Sequence, residues 1–148
     1  MTAPADVFVT LSLGGQLCGI DVGIVRDVLG ELPIARVPLA PEAVAGSLNL
    51  RGRIVTAIDL RRRLGLPPRP GTARPMSVVV DRQGELYSLL VDAVGEVLAL
   101  PRAGLEEHPP TLDATWRLAS RGVHRLEGRL MVVLDAARLL EFGAGMPG

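Results

Sequence analysis

Along Val7 to Leu13 the larger apolar residues fall on odd positions with smaller or polar ones between them, the two-residue period of a strand with one buried face. Gly14-Gly15 then offers the positive-φ residues of a tight hairpin, and Gln16 to Asp21 reads as the return strand. After a short turn at Val22-Gly23, the segment Ile24 to Leu29 is predicted as a further strand. Pro33, Pro38 and Pro41 make the next stretch irregular. From Gly46 to Leu64, an alternating segment meets Arg51-Gly52, a β-rich segment Ile54 to Ile58 follows, and Asp59 precedes a few residues of helical composition. That pattern predicts a hairpin running into a capped turn, and gives the first half about five short strands.

The same pattern is then written again. Arg51 to Leu64 matches Glu127 to Leu140 at an offset of 76, with Gly52, Arg53, Asp59, Arg62 and Leu64 recurring as Gly128, Arg129, Asp135, Arg138 and Leu140. The opening hairpin recurs at an offset of 69, so that Val9, Gly15, Leu17, Ile20, Val25, Asp27 and Val28 return as Val78, Gly84, Leu86, Leu89, Val94, Glu96 and Val97. The difference of seven residues falls near Pro101 to Pro110, a loop. Between the copies, Leu66 to Pro75 carries four prolines and a glycine and can hold neither a helix nor a paired strand. The expected organisation is one domain over 1–148, with a first barrel repeat at about 6–66, a linker at 67–75 and a second barrel repeat at about 76–142. Barrels this small have little core of their own, so the halves are expected to share an apolar interface. Whether they exchange strands is left open by the pattern.

Composition narrows the function classes. Apolar residues make up 48% of the 148-residue chain but aromatics only 3%, so Val, Leu, Ile and Ala must fill the core. The 16 basic residues, all arginine, balance 16 acidic ones, which leaves no net field to gather nucleic acid or an anionic membrane. A lone Cys18 excludes an internal disulfide, and the start of the chain has no leader pattern, so a cytoplasmic location is expected.

Few residues suggest reaction chemistry. Asp59 and Asp135 stand at equivalent points and could form a carboxylate pair, but each precedes a short helical turn, where capping is the simpler role. His108, in the Pro-rich loop, reads as a surface histidine and His124, in a strand, as a half-buried one, neither with a second ligand at metal spacing. Cys18 reads as an inert small apolar residue. Arg51, Arg53 and Arg61-Arg62-Arg63 form one basic cluster without the aromatic partners a nucleic-acid site would use. No catalytic residue, metal or cofactor is expected. A small β protein without a reactive constellation points to an adaptor that presents edges and patches to other proteins.

The residues also carry a resemblance. Gly19-Ile20-Asp21-Val22, Val25-Arg26-Asp27-Val28, Val37-Pro38 with Pro41, Gly46-Ser47-Leu48-Asn49-Leu50-Arg51-Gly52-Arg53-Ile54-Val55, Asp59-Leu60, Leu64-Gly65 and Leu90 to Val97 together resemble the CheW-like chemotaxis coupling proteins. The resemblance spans residues 7–140. It implies an all-β fold with minor short helices, built as two five-stranded SH3-like β-barrels side by side. It further implies a non-catalytic scaffold in a chemotaxis-like signal transduction pathway, linking a chemoreceptor's cytoplasmic tip to the regulatory domain of a CheA-type histidine kinase, in the cytoplasm and recruited to receptor clusters. By the same resemblance, Arg51, Val25, Asp27, Val28 and Val97 match receptor-binding positions, and Gly46 matches a position tied to kinase binding. Thr56 stands where the family usually has proline, which implies a looser edge strand, and Gly23 where a larger apolar residue is common, which implies a softer receptor groove. These departures keep a second reading in play, a diverged paralogue that binds only one partner.

Overall fold

Eleven strands and three short helices follow one another in the computed structural model, which describes residues 3–71 and 73–143. The first copy supplies β1 (Ala5–Leu13), β2 (Gln16–Asp21), β3 (Val25–Leu29), β4 (Val44–Leu50), β5 (Arg53–Asp59) and helix α1 (Leu60–Arg63). The second supplies β6 (Met76–Arg82), β7 (Glu85–Val91), β8 (Ala93–Pro101), β9 (Leu105–Glu106), helix α2 (Ala114–Leu118), β10 (Ser120–Leu126), β11 (Arg129–Leu134) and helix α3 (Ala136–Leu139). Under the offsets of the repeat, β4, β5 and α1 fall on β10, β11 and α3, and β1 to β3 fall on β6 to β8. The all-β reading with minor helices is therefore met, with one sheet of five strands and one that gains the two-residue β9 as a sixth.

The sheets do not follow the sequence halves. One runs β8-β1-β2-β11-β10-β9 and the other β3-β6-β7-β5-β4, so each takes the first two strands of one copy and the remaining strands of the other, β8 to β11 in the first sheet and β3 to β5 in the second. The ranges 6–66 and 76–142 thus mark the repeat and not the barrels. The chain changes sheets after β2 through a 3-10 turn, Val22–Ile24, whose Gly23 amide donates to the Asp21 carboxylate, and after β7 through Asp92 alone. Parallel pairing seals the exchange: β11 lies beside β2, with Val132 opposite Cys18, and β5 beside β7, with Ile58 opposite Leu89. Residues 66–75 contain neither strand nor helix among those described.

The largest buried cluster lies between the sheets and draws on both copies, including Leu11, Ile20, Ile58, Leu60, Leu89, Val132, Leu134 and Leu139. Smaller clusters fill each barrel, Phe8 with Met131 and Val133 in one and Leu48 with Val55 and Ala57 in the other. Arg63 marks the axis relating the copies: its Nε donates to the carbonyl of Leu139, its own counterpart, at 2.8 Å, and its Nη2 to Arg138 O at 2.9 Å. A side chain of α1 thus satisfies the last carbonyls of α3.

Because neither half contains a complete sheet, fragments 1–66 and 76–148 are each expected to be unfolded alone and to regain β structure only when mixed. Far-ultraviolet circular dichroism of the separate and combined fragments checks this; a fragment that folds alone would contradict the shared core.

Candidate functional site

The hairpin between β4 and β5 turns at Arg51 and Gly52, with φ of 51° and 85°. Two positive φ values suit the twist of a two-residue hairpin, but only glycine, asparagine or aspartate adopts them at little cost. Asn49 stabilises the turn by accepting from the Gly52 amide at 2.9 Å. Nothing in the turn requires an arginine at position 51, which carries backbone strain of about 1 kcal/mol. Its side chain is 76% exposed and reaches Asp27 on β3, Nη2 to Oδ2, at 3.1 Å. Asp27 is only 25% exposed, and its other oxygen accepts from the Val28 amide at 2.9 Å.

The strand β3 is an outer strand of its sheet, paired only with β6. Val25 is half-buried on it and Val28 is 37% exposed. The structure thus brings Arg51, Asp27, Val25 and Val28 to one edge. Val97 belongs elsewhere: it is the repeat counterpart of Val28, lies on β8, the outer strand of the other sheet, opposite Val9, and is 57% exposed. The two barrels therefore offer equivalent edges, and only one has an arginine at the adjoining turn. Ile54, 71% exposed beside that turn, extends the apolar surface and was not singled out from the sequence.

Gly46 has a different role from the side chains around it. It is buried at a bulge in β4 with φ of 151°, and a Cβ there would stand 2.2 Å from the carbonyl oxygen of Ala35, which bridges Ser47. Gly122 repeats the arrangement in β10, with φ of 158° and a Cβ position 2.3 Å from Glu106 O on β9. Each barrel needs a glycine where a crossing segment presses on the bulge.

The remaining candidates resolve into structural roles. Asp59 accepts from the Arg61 amide at 3.0 Å and Asp135 from the Arg138 amide at 3.2 Å, capping α1 and α3. They line different cavities, Asp59 beside Arg36 and Arg62 and Asp135 beside Asp21 and Arg121, so they form no carboxylate pair. The basic cluster is dispersed as well. Arg53 donates to Gly84 O, Arg61 pairs with Asp92, Arg62 with Asp59, and Arg63 caps α3.

His108 is half-buried and not a surface residue, because Ser120 Oγ, 2.9 Å from its Nε2, draws it in. Ser120 is fully buried and donates to Trp116 O at 2.6 Å, so the pair is a structural contact rather than a nucleophile and its base. His124 is buried against the edge of Phe8 at 5.7 Å, which is deeper than the expected half burial, and desolvation lowers its pKa. Burial pushes the Cys18 thiol up and keeps it protonated. Thr56 does not sit on an edge: β5 is paired on both sides, with Ser47 opposite Thr56 in β4 and Tyr87 in β7, so that departure loosens no edge strand.

A charged latch that the pattern did not single out lies at the β7 to β8 crossover. Asp92 receives Arg61 Nε and Nη2 at 2.8 and 2.7 Å, Arg69 Nε from the linker at 3.0 Å, and the Gly14 amide at 2.8 Å. The Arg61 hydrogen bonds, with help from Gly14 and Arg69, hold the Asp92 carboxyl at about 2 against an ordinary 3.8. A carboxylate depressed in this way stabilises the fold above its unfolded pKa, and the contribution is lost as the pH falls from about 4 to 2. The shift corresponds to about 2 kcal/mol. Asp92→Asn is expected to lose about that much at pH 7 and to flatten the acid limb of stability, as urea unfolding at pH 7, 4 and 2.5 would show. An unchanged acid limb would contradict the latch.

Two paired barrels whose outstanding surface feature is an exposed arginine on an apolar edge define a binding module. The CheW-like domain family matches residues 7–143, and the chain belongs to that family. The chemotaxis protein CheW of Rhizobium meliloti is 29% identical over 127 residues, covering 86% of this chain and 82% of that protein. Protein PilI of Pseudomonas aeruginosa is 29% identical over 115 residues, covering 78% and 65%. Among solved structures, the scaffolding protein TtCheW from Thermoanaerobacter tengcongensis superimposes with a TM-score of 0.82 at 29% identity, over 93% of this chain and 94% of that one. Among the described residues no helix is long and apolar enough to cross a membrane.

Proposed function

We propose that this chain is a non-catalytic coupling adaptor in a chemotaxis pathway, holding a chemoreceptor's cytoplasmic tip and the regulatory domain of a CheA-type histidine kinase at once. The observation that carries the reading is Arg51: an exposed guanidinium kept on a strained turn that the fold does not need, beside an edge bearing Asp27, Val25 and Val28. Gln83 and Leu39 also take positive φ, so what sets Arg51 apart is a strained turn residue that places a charge beside an apolar edge, which favours a partner there. Arg51 supplies directional donors to carboxylates or carbonyls at a helix end, and the valines receive the apolar side chains of a helical hairpin. Asp27 pre-positions the guanidinium and yields it to the receptor. Val97 lies on the equivalent edge of the other barrel, so a receptor contact there would be a second one, separate from the Arg51 edge.

For the kinase we assign the β4 edge shaped by the Gly46 bulge. The Ala35 segment already bridges β4 at Ser47, so the kinase packs on this bridged face, and Gly46 acts by setting the strand's path, since it presents no side chain. The adaptor works in the cytoplasm at receptor clusters. The likeness to PilI favours a second reading, in which the same coupling serves a pathway other than swimming chemotaxis.

Pairwise binding of the full chain to a receptor cytoplasmic fragment and to the kinase regulatory domain from the same genome tests the assignment. Both are expected to bind with dissociation constants of roughly micromolar to tens of micromolar. Binding of one partner alone would make the protein a diverged paralogue, and binding of neither would remove the proposal.

A further inference from the structure

We propose that a cavity beside α3 is a third docking site, which takes an extended, proline-flanked segment of a partner protein carrying an arginine. The cavity has a volume of about 410 Å³ and lies where the β2 to β3 crossover, the β6 to β7 turn and the start of α3 meet. Asp21, Asp81, Asp135, Arg82, Arg121 and Ala137 are among its lining residues. Its size falls within the roughly 300–1,000 Å³ of ordinary ligand sites.

The duplication supplies the occupant's chemistry. At the offset of 76, Asp135 and Ala137 correspond to Asp59 and Arg61; at 69, Gly23 in the β2 to β3 crossover corresponds to Asp92. In the first copy this place is filled by the chain itself. Arg61 and the linker's Arg69, with side chains only 12% and 11% exposed, converge on Asp92, Arg69 Nη2 stands 4.0 Å from Asp59, and Arg61 Nη1 donates to the linker carbonyl of Pro67 at 2.9 Å. At the equivalent place on the other barrel, where α3 of the second copy meets the β2 to β3 crossover of the first, Ala137 and Gly23 stand in for the arginine and the carboxylate that closed the site, and the space stays open.

What remains is a set of groups complementary to such a strap. Asp135 keeps its place, with Arg138 Nε 3.9 Å away just as Arg62 Nε stands 3.7 Å from Asp59 while Arg69 also approaches it, and Asp21, which caps the crossover through the Gly23 amide at 2.7 Å, has no ion-pair partner among the described residues. These two accept a guanidinium, while Asp81 is engaged by Arg26 at 3.7 Å. Arg82 and Arg121, also without ion pairs among the described residues, donate to the free carbonyls of an extended segment, as Arg61 does to Pro67. None of Arg51, Asp27, Val25 and Val28 lines the cavity, so the inference does not rest on the coupling function.

The chain's own linker is the natural probe. A synthetic peptide of the Leu66 to Pro75 sequence, titrated into the isotopically labelled full-length protein, is expected to give saturable NMR shifts at the amides of Gly23, Gln83 and Ala137, with a dissociation constant below about 1 mM. Replacing both peptide arginines by citrulline is expected to weaken binding about tenfold or more. Asp21→Asn and Asp135→Asn, the latter still able to cap α3, are each expected to weaken it in the same direction, and Ala137→Arg to refill the cavity and abolish it. Shifts confined to Gly14 and Asp92, equal binding of the citrulline peptide, or no saturable shift would each overturn the proposal. So would binding that appears only after residues 144–148 are removed, which would assign the cavity to the chain's own last residues.

Discussion

Gly46→Ala is expected to destabilise the protein by about 3 kcal/mol, lowering the melting temperature by about 10 °C. The added methyl would meet Ala35 O at 2.2 Å and the Ile34 Cγ2 at 2.7 Å. Backbone cannot rotate away as a side-chain tip can, so the bulge or the Ala35 bridge must shift. Gly122→Ala should cost a similar amount, since its Cβ position stands 2.3 Å from Glu106 O. The measurement decides what Gly46 does for the kinase. If Gly46→Asp loses kinase binding together with thermal stability, the glycine acts by shaping β4. If binding is lost while the melting temperature is unchanged, Gly46 is itself a contact and the bulge account fails.

Arg51→Gly is expected to move stability and binding in opposite directions. Glycine relieves the left-handed backbone, worth about 1 kcal/mol, and forfeits only an exposed ion pair with Asp27, worth about 0–1 kcal/mol, so the fold should be as stable or slightly more so. Receptor binding should nevertheless fall tenfold to a hundredfold, the usual loss for an arginine anchor. Arg51→Glu should fall further, because it places a carboxylate beside Asp27 and repels an acidic partner. A receptor affinity unchanged by Arg51→Gly would reduce the arginine to a solvated turn residue. Calorimetric unfolding and titration on the same preparations would read both quantities.

Much of this organisation was visible in the chain because local chemistry decided it. The alternation at Val7 to Leu13, the Gly14-Gly15 hairpin and the caps at Asp59 and Asp135 depend on neighbours in sequence, and the repeat located their counterparts. The exchange of strands was not visible, since a self-match gives which segments are equivalent and not which of two similar sheets each joins. β9 lies in the stretch near Pro101 to Pro110 where the two copies differ in length, and α2 matches the proline-rich 38–42, whose composition gives no helix to compare. The Asp92 latch was hidden by the reading of Leu66 to Pro75 as a spacer: its prolines forbid secondary structure but do not prevent Arg69 from pinning the segment to both halves. At the site, Arg51 could be named from its motif, whereas its strain and its pairing with Asp27 needed coordinates.

The central claim is that one molecule holds receptor and kinase together, and sedimentation of the three-component mixture tests it most directly. With receptor fragment and kinase regulatory domain both in excess, the account expects a species containing all three components, lost with Arg51→Glu while the kinase pair survives. If each partner instead displaces the other and only binary complexes sediment, the two surfaces overlap and the protein is not a coupler.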